Sequence, residues 1–314
     1  PRSTVFPYTT LFRSRDKFQN IVEASGGGEI GEEFMSDGLF YRIGENNTVS
    51  VTSGEIKYSG DIIIPSQVTY KGKTYDVKSI IGFAGCNDLT SINIPSSVTK
   101  IYEDAFDGCT GLTSVHISDL EAWCQISCDL CGPYDLYTSN PLHFAHHLFL
   151  NGEEIKELII PNTVTKIGQG AFDGCSSFIS VTIPNSVKSF GIHAFQGCSF
   201  NSVHISDLEA WCNASFYGNY NGMVQGTCNP LFATSHLFLN GVEINDLIIS
   251  NSVTSISNYA FVSCEFLTSV TIPNSVKSIG KYSFADCSGL NSIISEIKNP
   301  FEIDESVFYS SSKD

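Results

Sequence analysis

The sequence predicts an α/β, strongly β-dominated solenoid: a column of coils of about 23 residues stacked on a parallel sheet, with two helix-plus-hairpin insertions and a β-rich N-terminal cap. Three observations predict it. A phrase built as Ile-Pro, Val-x-x-Ile, Ala-Phe-x-x-Cys and an apolar-x-Ser-apolar run recurs as IPSSVTKIYEDAFDGCTGLTSVH from Ile94, IPNTVTKIGQGAFDGCSSFISVT from Ile160 and IPNSVKSIGKYSFADCSGLNSII from Ile272. A unit this short cannot bury its own apolar face and gains a core only by stacking on its neighbours. The two interrupted coils are themselves copies: HISDLEAWC starts at His116 and again at His204, and HLFLNG starts at His147 and again at His236.

Ser3–Ser14, STVFPYTTLFRS, reads as translated sequencing-adapter text, so residues 1–14 are set aside and the true N-terminus is expected upstream. The chain stops at Asp314 just after another apolar run, as a fragment of a longer protein would. Residues 15–60 form the expected cap. DGLFYRI, NTVSVTS and EIKYSGDIII alternate apolar and polar residues as strands do, and a first coil needs its raw face covered.

The solenoid is expected over residues 61–314, its coils starting at Ile64, Ile94, Ile160, Ile183, Ile249 and Ile272. The KGK turn lengthens the first of them, and the coil from Ile183 is one residue short near Ser199, as a turn would tolerate. The strand pieces are LTSINI (Leu89 to Ile94), LTSVHI (Leu112 to Ile117), FISVTI (Phe178 to Ile183) and LTSVTI (Leu267 to Ile272). Their first, fourth and sixth positions point into the core and their third and fifth outward. Proline then ends the strand by removing a ladder donor. Val98, Ile101, Ala105 and Phe106 fill the far side of the coil.

The insertions are expected at about 118–154 and 206–243. Ser118-x-x-Glu121 and Ser206-x-x-Glu209 have capping-box spacing and should each start a short helix that Trp123 or Trp211 anchors to the column. Asn151-Gly152 and Asn240-Gly241 favour two-residue hairpin turns between apolar strands.

At this point the chain resembles the BspA-type, or Treponema pallidum-type, leucine-rich repeats of bacterial and protozoan surface proteins. The motif is the Ala-Phe-x-x-Cys followed by Leu-x-Ser-Val-x-Ile-Pro, and the resemblance runs from about Asp37 to Phe308 with the SDLEAWC and HLFLNG segments included. It implies a leucine-rich-repeat solenoid and a secreted or cell-surface protein that adheres to host proteins, other bacteria or extracellular matrix.

The formal net charge is −16, or −18 without Arg2 and Arg13, which argues against nucleic acid as a partner. No stretch approaches the ~18 apolar residues of a membrane span, so direct membrane insertion of this chain is not expected. Of the eleven cysteines, Cys86, Cys109, Cys175, Cys198, Cys264 and Cys287 share one repeat position. Parallel stacked side chains point the same way, so these are expected as a ladder of buried thiols rather than disulfides. Cys124 and Cys212 read likewise, while Cys128-x-x-Cys131 leaves a local disulfide or half a zinc site open. His143, His146 and His147 cluster, but only His147 has a counterpart, His236, and a repeated histidine before a strand reads as a structural hydrogen-bonder.

Phosphate-loop, nucleophile-elbow and zinc-protease signatures are absent from the sequence, and like groups stand in rows where catalysis needs unlike groups at one point. No enzyme activity, cofactor or metal is therefore expected. The expected function is binding of extracellular proteins or glycans through a concave sheet. Its outward positions are Ser91, Asn93, Ser114, His116, Glu157, Ser180, Thr182, Ser202, His204, Asp246, Ser269 and Thr271. These are small and poor in aromatic or arginine anchors, so weak contacts strengthened by multivalency are expected, with Phe216, Tyr217 and Tyr220 of the second insertion adding specificity. A stalk that presents another domain, or an intracellular scaffold, are the alternatives.

Overall fold

Alternation of apolar and polar residues in DGLFYRI and NTVSVTS forces one face of each segment inward, and in the computed structural model both are strands. The structure describes residues 26–311 apart from 55, 132–136, 217, 221–222 and 226–227, so the adapter-like residues lie outside it. Glu33–Ser36, Leu39–Ile43 and Thr48–Thr52 form an antiparallel meander whose last strand pairs in parallel with Lys73–Ile80. Phe34, Tyr41, Ile43, Val49 and Val51 are buried under it, and Phe34 stacks on Tyr70 with ring centroids 4.0 Å apart. The KGK turn joins Gln67–Tyr70 to Lys73–Ile80 through Lys71 and Gly72, both at positive φ (48° and 76°), as a two-residue hairpin of this hand requires.

The apolar-x-Ser-apolar runs build three parallel sheets. The first holds Gly60–Ile63, Leu89–Asn93, Ser114–Ile117 and Leu148–Leu150. The second holds Glu157–Ile159, Ser180–Ile183, Ser202–Ile205 and Leu237–Leu239. The third holds Asp246–Ile248, Ser269–Ile272 and Ser292–Ser295. The last strands of the first two sheets come from the HLFLNG segments: Leu148 aligns with Val115 and Leu237 with Val203. Each long segment therefore returns to the column as a rung of its own instead of only interrupting it, because its Leu-Phe-Leu alternates as the short strands do. Asn151-Gly152 and Asn240-Gly241 then turn the chain at positive φ, as their sequence predicts. The returning partners are Glu153–Glu154 and Val242–Glu243, in which Val242 alone is apolar, and each closes its sheet.

Inside the column the repeat positions become ladders. Phe83 stacks on Phe106 at 5.1 Å, Phe172 on Phe195 at 5.5 Å, and Phe261 on Phe284 at 5.3 Å, all near parallel. The six repeat cysteines are buried free thiols, as are Cys124 and Cys212. Each thiol of Cys109, Cys198 and Cys287 also donates to the carbonyl of the preceding coil's phenylalanine, at 3.1, 3.2 and 3.1 Å to Phe83, Phe172 and Phe261. Cys128 is buried, and the side chain of Cys131 lies outside the described residues.

The two short helices start one residue later than the capping-box spacing predicts. They run Leu120–Cys124 and Leu208–Asn213, and their caps are Asp119 and Asp207, whose carboxylates accept from the backbone N–H of Ala122 and Ala210 at 3.0 and 2.9 Å. Ser118 and Ser206 lie in the bend that follows each strand, leaving the acid next to them to satisfy the free donors. Trp123 and Trp211 are buried against the column, as their spacing predicts.

Candidate binding surface

The pleat sends every second residue of each strand to solvent, and parallel pairing lines these residues up from coil to coil. Two columns result. In the first sheet one column carries Asp61, Ser91 and Ser114, and the other Ile63, Asn93, His116 and Phe149. The second sheet repeats the pattern with Glu157, Ser180 and Ser202 beside Ile159, Thr182, His204 and Phe238. The third sheet carries Asp246, Ser269 and Ser292 beside Ile248, Thr271 and Ile294. All the outward positions named from the sequence stand in these columns, Glu157 and Asp246 exposed and the others half-buried.

Hydrogen bonds between neighbouring coils order the surface. The Asp61 carboxylate accepts from the hydroxyls of Ser91 at 2.7 Å and Thr90 at 2.9 Å, and Asp246 accepts from Ser269 at 2.6 Å and Thr268 at 2.9 Å. These bonds, from Ser91 and then Thr90, and from Ser269 and then Thr268, hold both carboxyls below the usual carboxylate range. His116 shares a hydrogen bond with Ser114 at 3.0 Å and stacks on Phe149 at 4.7 Å; His204 does the same with Ser202 at 2.8 Å and Phe238 at 4.8 Å. The repeated His147 and His236 are hydrogen-bonders in the hairpins, each 2.5 Å from a glutamate, Glu154 and Glu243.

The sequence reading missed part of this surface. Asp61, Ile63, Ile159 and Ile248 belong to it, and so do Phe149 and Phe238, which gives the face the aromatic groups that were not expected there. The signal lay in DIII, ELII and DLII, where period two sets an acid and the second residue after it on one face. Phe216 corrects the opposite error. It is fully buried and stacks on Phe190 at 5.0 Å, filling the column beside Trp211, so it offers nothing to a partner. Tyr217 and the side chain of Tyr220 lie outside the described residues.

Among the described residues no group of three His, Cys, Asp or Glu could hold a metal ion, and no helix is long and apolar enough to cross a membrane. The surface presents spread, repeated contacts, not converging reactive groups.

Six copies of the model for the BspA type leucine rich repeat region match residues 79–126, 143–223 and 233–313, and the chain belongs to this family. No curated protein matches it. Among solved structures it is similar to a leucine rich cell surface protein from Faecalibacterium prausnitzii, with 24% identity, TM-score 0.45 and coverage of 91% of this chain and 82% of that one. A leucine-rich repeat protein from Bacteroides ovatus gives 27% identity, TM-score 0.39 and coverage of 84% and 71%. The leucine-rich repeat protein of T. pallidum gives 18% identity, TM-score 0.33 and coverage of 84% and 90%.

Proposed function

We propose that this chain is a non-enzymatic binding protein, secreted or displayed at a cell surface, that adheres to extracellular proteins or glycans through the solvent face of its parallel sheets. One observation carries the reading: the same order of outward groups, acid with isoleucine, then Ser with Asn or Thr, then Ser with His, then Phe, recurs in the first two sheets and begins again in the third. These outward residues are not among the buried core of the column. A repeated, flat surface suits a partner that is met through many modest contacts, and several copies per chain strengthen it by raising effective concentration.

The test is saturable binding of the purified chain to immobilised extracellular-matrix proteins, host glycans and bacterial surfaces at two salt concentrations. Joint replacement of His116, Glu157, His204 and Asp246 by alanine is expected to abolish it. A folded chain that binds none of these targets would count against the adhesin and favour a stalk presenting another domain.

A further inference from the structure

Ile63, Ile159 and Ile248 are 73%, 62% and 71% exposed, although the residue that follows each, Ile64, Ile160 or Ile249, is core. All three occupy the first strand of a parallel sheet, and each stands two residues after an acid on the same face: Asp61, Glu157 and Asp246. In the first two sheets the isoleucine column ends three strands on at Phe149 or Phe238, each held flat against a histidine. At about 4.8 Å per strand the apolar ends of one module stand about 14 Å apart. Neither column contains a lysine or arginine in any of the three sheets, and the whole chain carries a net charge of −16.

We propose that each module is a docking site for an extended, cationic polypeptide segment that carries apolar and basic side chains on one face. The inference rests on the binding role of this face and adds the class of partner. An extended chain advances about 3.3 Å per residue, so side chains four residues apart stand about 13 Å apart, close to that spacing. Residues spaced by four leave a strand on the same side, which lets one apolar side chain meet the isoleucine and the other the His-backed phenylalanine. A basic residue between them, two places from each, leaves on that same side, and its long side chain reaches across to the carboxylate column. Asp61 and Asp246 are suited to this because their Ser and Thr donors keep them ionised and fixed while oxygen lone pairs remain open to a partner. Charge complementarity here selects a basic partner over an acidic one. Two complete modules in one chain make the protein bivalent for such a segment.

The test uses a fluorescent heptapeptide, Phe-Thr-Lys-Thr-Ile-Thr-Lys, whose Phe, Ile and both Lys leave an extended chain on one side, titrated with the whole chain and followed by anisotropy. Saturable binding is expected, about tenfold or more weaker when every Lys is replaced by Glu, and likewise when Phe and Ile are replaced by Ser. The protein variants are the triple Ile63→Ser, Ile159→Ser, Ile248→Ser and the triple Asp61→Asn, Glu157→Gln, Asp246→Asn; each set is expected to cost a similar factor. All six positions are at the surface, and an unchanged circular dichroism spectrum and melting midpoint verify the fold. Equal binding of the Ser-substituted peptide would reduce the effect to bulk charge attraction and overturn the proposal, as would unchanged binding by either variant set or no binding at all. If a target from the extracellular panel loses binding to the isoleucine variant while the heptapeptide does not bind, the partner class is wrong and the face remains the binding surface. If the isoleucine variant leaves panel binding intact, both readings fail.

Discussion

The side-chain amide of Asn140 donates to the carbonyl of Gly170, thirty residues further along the chain, at 2.7 Å, and to that of Ala171 at 2.9 Å. Elsewhere in the column the Ala-Phe position accepts from a backbone donor one coil earlier: Ala105 from Phe83, Ala194 from Phe172 and Ser283 from Phe261. The long coils lack an Ala-Phe pair, and Asn140 supplies the missing donor. Its oxygen accepts from Leu142 N–H at 2.8 Å, which fixes the amide's orientation. Asn229 repeats the arrangement with Tyr259 at 2.7 Å and with Leu231 N–H at 2.9 Å.

Replacing either asparagine by alanine strands buried carbonyls and a buried N–H. Asn140→Ala and Asn229→Ala are each expected to cost about 2–3 kcal/mol in urea unfolding, and far more than alanine at an exposed asparagine such as Asn201. Asn140→Asp should be no better, since a carboxylate has no donor to offer either carbonyl.

The tryptophans of the two long coils are equally buried but differently bonded. Trp211 Nε1 donates to Ala260 at 2.8 Å, where Asn229 reaches only to 3.4 Å, whereas Trp123 Nε1 has no hydrogen-bond partner among the described residues. Trp211→Phe therefore loses a bond that Trp123→Phe does not, and it is expected to be more destabilising by about 1 kcal/mol. The chain has only these two tryptophans, so each variant leaves a single fluorophore reporting on one long coil.

Burial pushes the thiols of Cys109, Cys124, Cys175, Cys212 and Cys287 up to about 12, and those of Cys198 and Cys264 well above their ordinary value. The folded state therefore keeps these protons in a range where the unfolded state gives them up. Their contribution is complete below about pH 9 and is lost as pH rises towards 12, each thiol removing about 1.4 kcal/mol per pH unit in that window. The chain is expected to unfold on alkaline titration above pH 9 without oxidation. A thiol-specific chromogenic reagent at pH 8 should label these positions at the rate of global unfolding and immediately in denaturant; fast labelling of the native protein would contradict the buried ladder.

What the sequence disclosed and what it hid follow from the range of the interactions involved. The strand faces were legible because period two is a local property, and Leu89, Ile92 and Ile94 are inside as their spacing requires. The hairpin turns were legible because Asn-Gly suits two successive residues at positive φ. The helix start was not, since Ser118 and Asp119 are both good caps and the end of the preceding strand decides between them. Asn140 and Asn229 sit before proline and read as turn residues; their partners lie one coil away, although the repeated Asn-Pro-Leu at 140–142 and 229–231 was a visible sign. Ile63 and Ile159 were hidden because three apolar residues in a row, in DIII and ELII, blur the alternation, and Phe216 in a segment that read as exposed.

The two long coils also differ in how closely the next coil approaches, and this gives a prediction that sequence similarity alone would reverse. Gly168 and Ser257 occupy equivalent positions, and their N–H groups donate to Cys124 and Cys212 carbonyls at 2.7 and 2.8 Å. The first helix stops at Cys124 with Gln125 still near helical geometry, whereas the second continues to Asn213 and leaves through an extended Ala214. The tighter exit places the carbonyl oxygen of Ile126 where a side chain on residue 168 would begin: a Cβ added to Gly168 would lie 1.8 Å from it. That obstacle is backbone and cannot turn aside as a flexible side chain would. Gly168→Ser is therefore expected to destabilise by about 1–3 kcal/mol, the range for overpacking a tight site, even though serine is the residue the other copy uses. Ser257→Gly loses a side chain in a place with room for it and is expected to cost about 1 kcal/mol or less, mainly through backbone entropy. Urea midpoints of the two variants separate the accounts: equal costs would mean that the two coil junctions have the same geometry, and a larger cost at Ser257 would invert it.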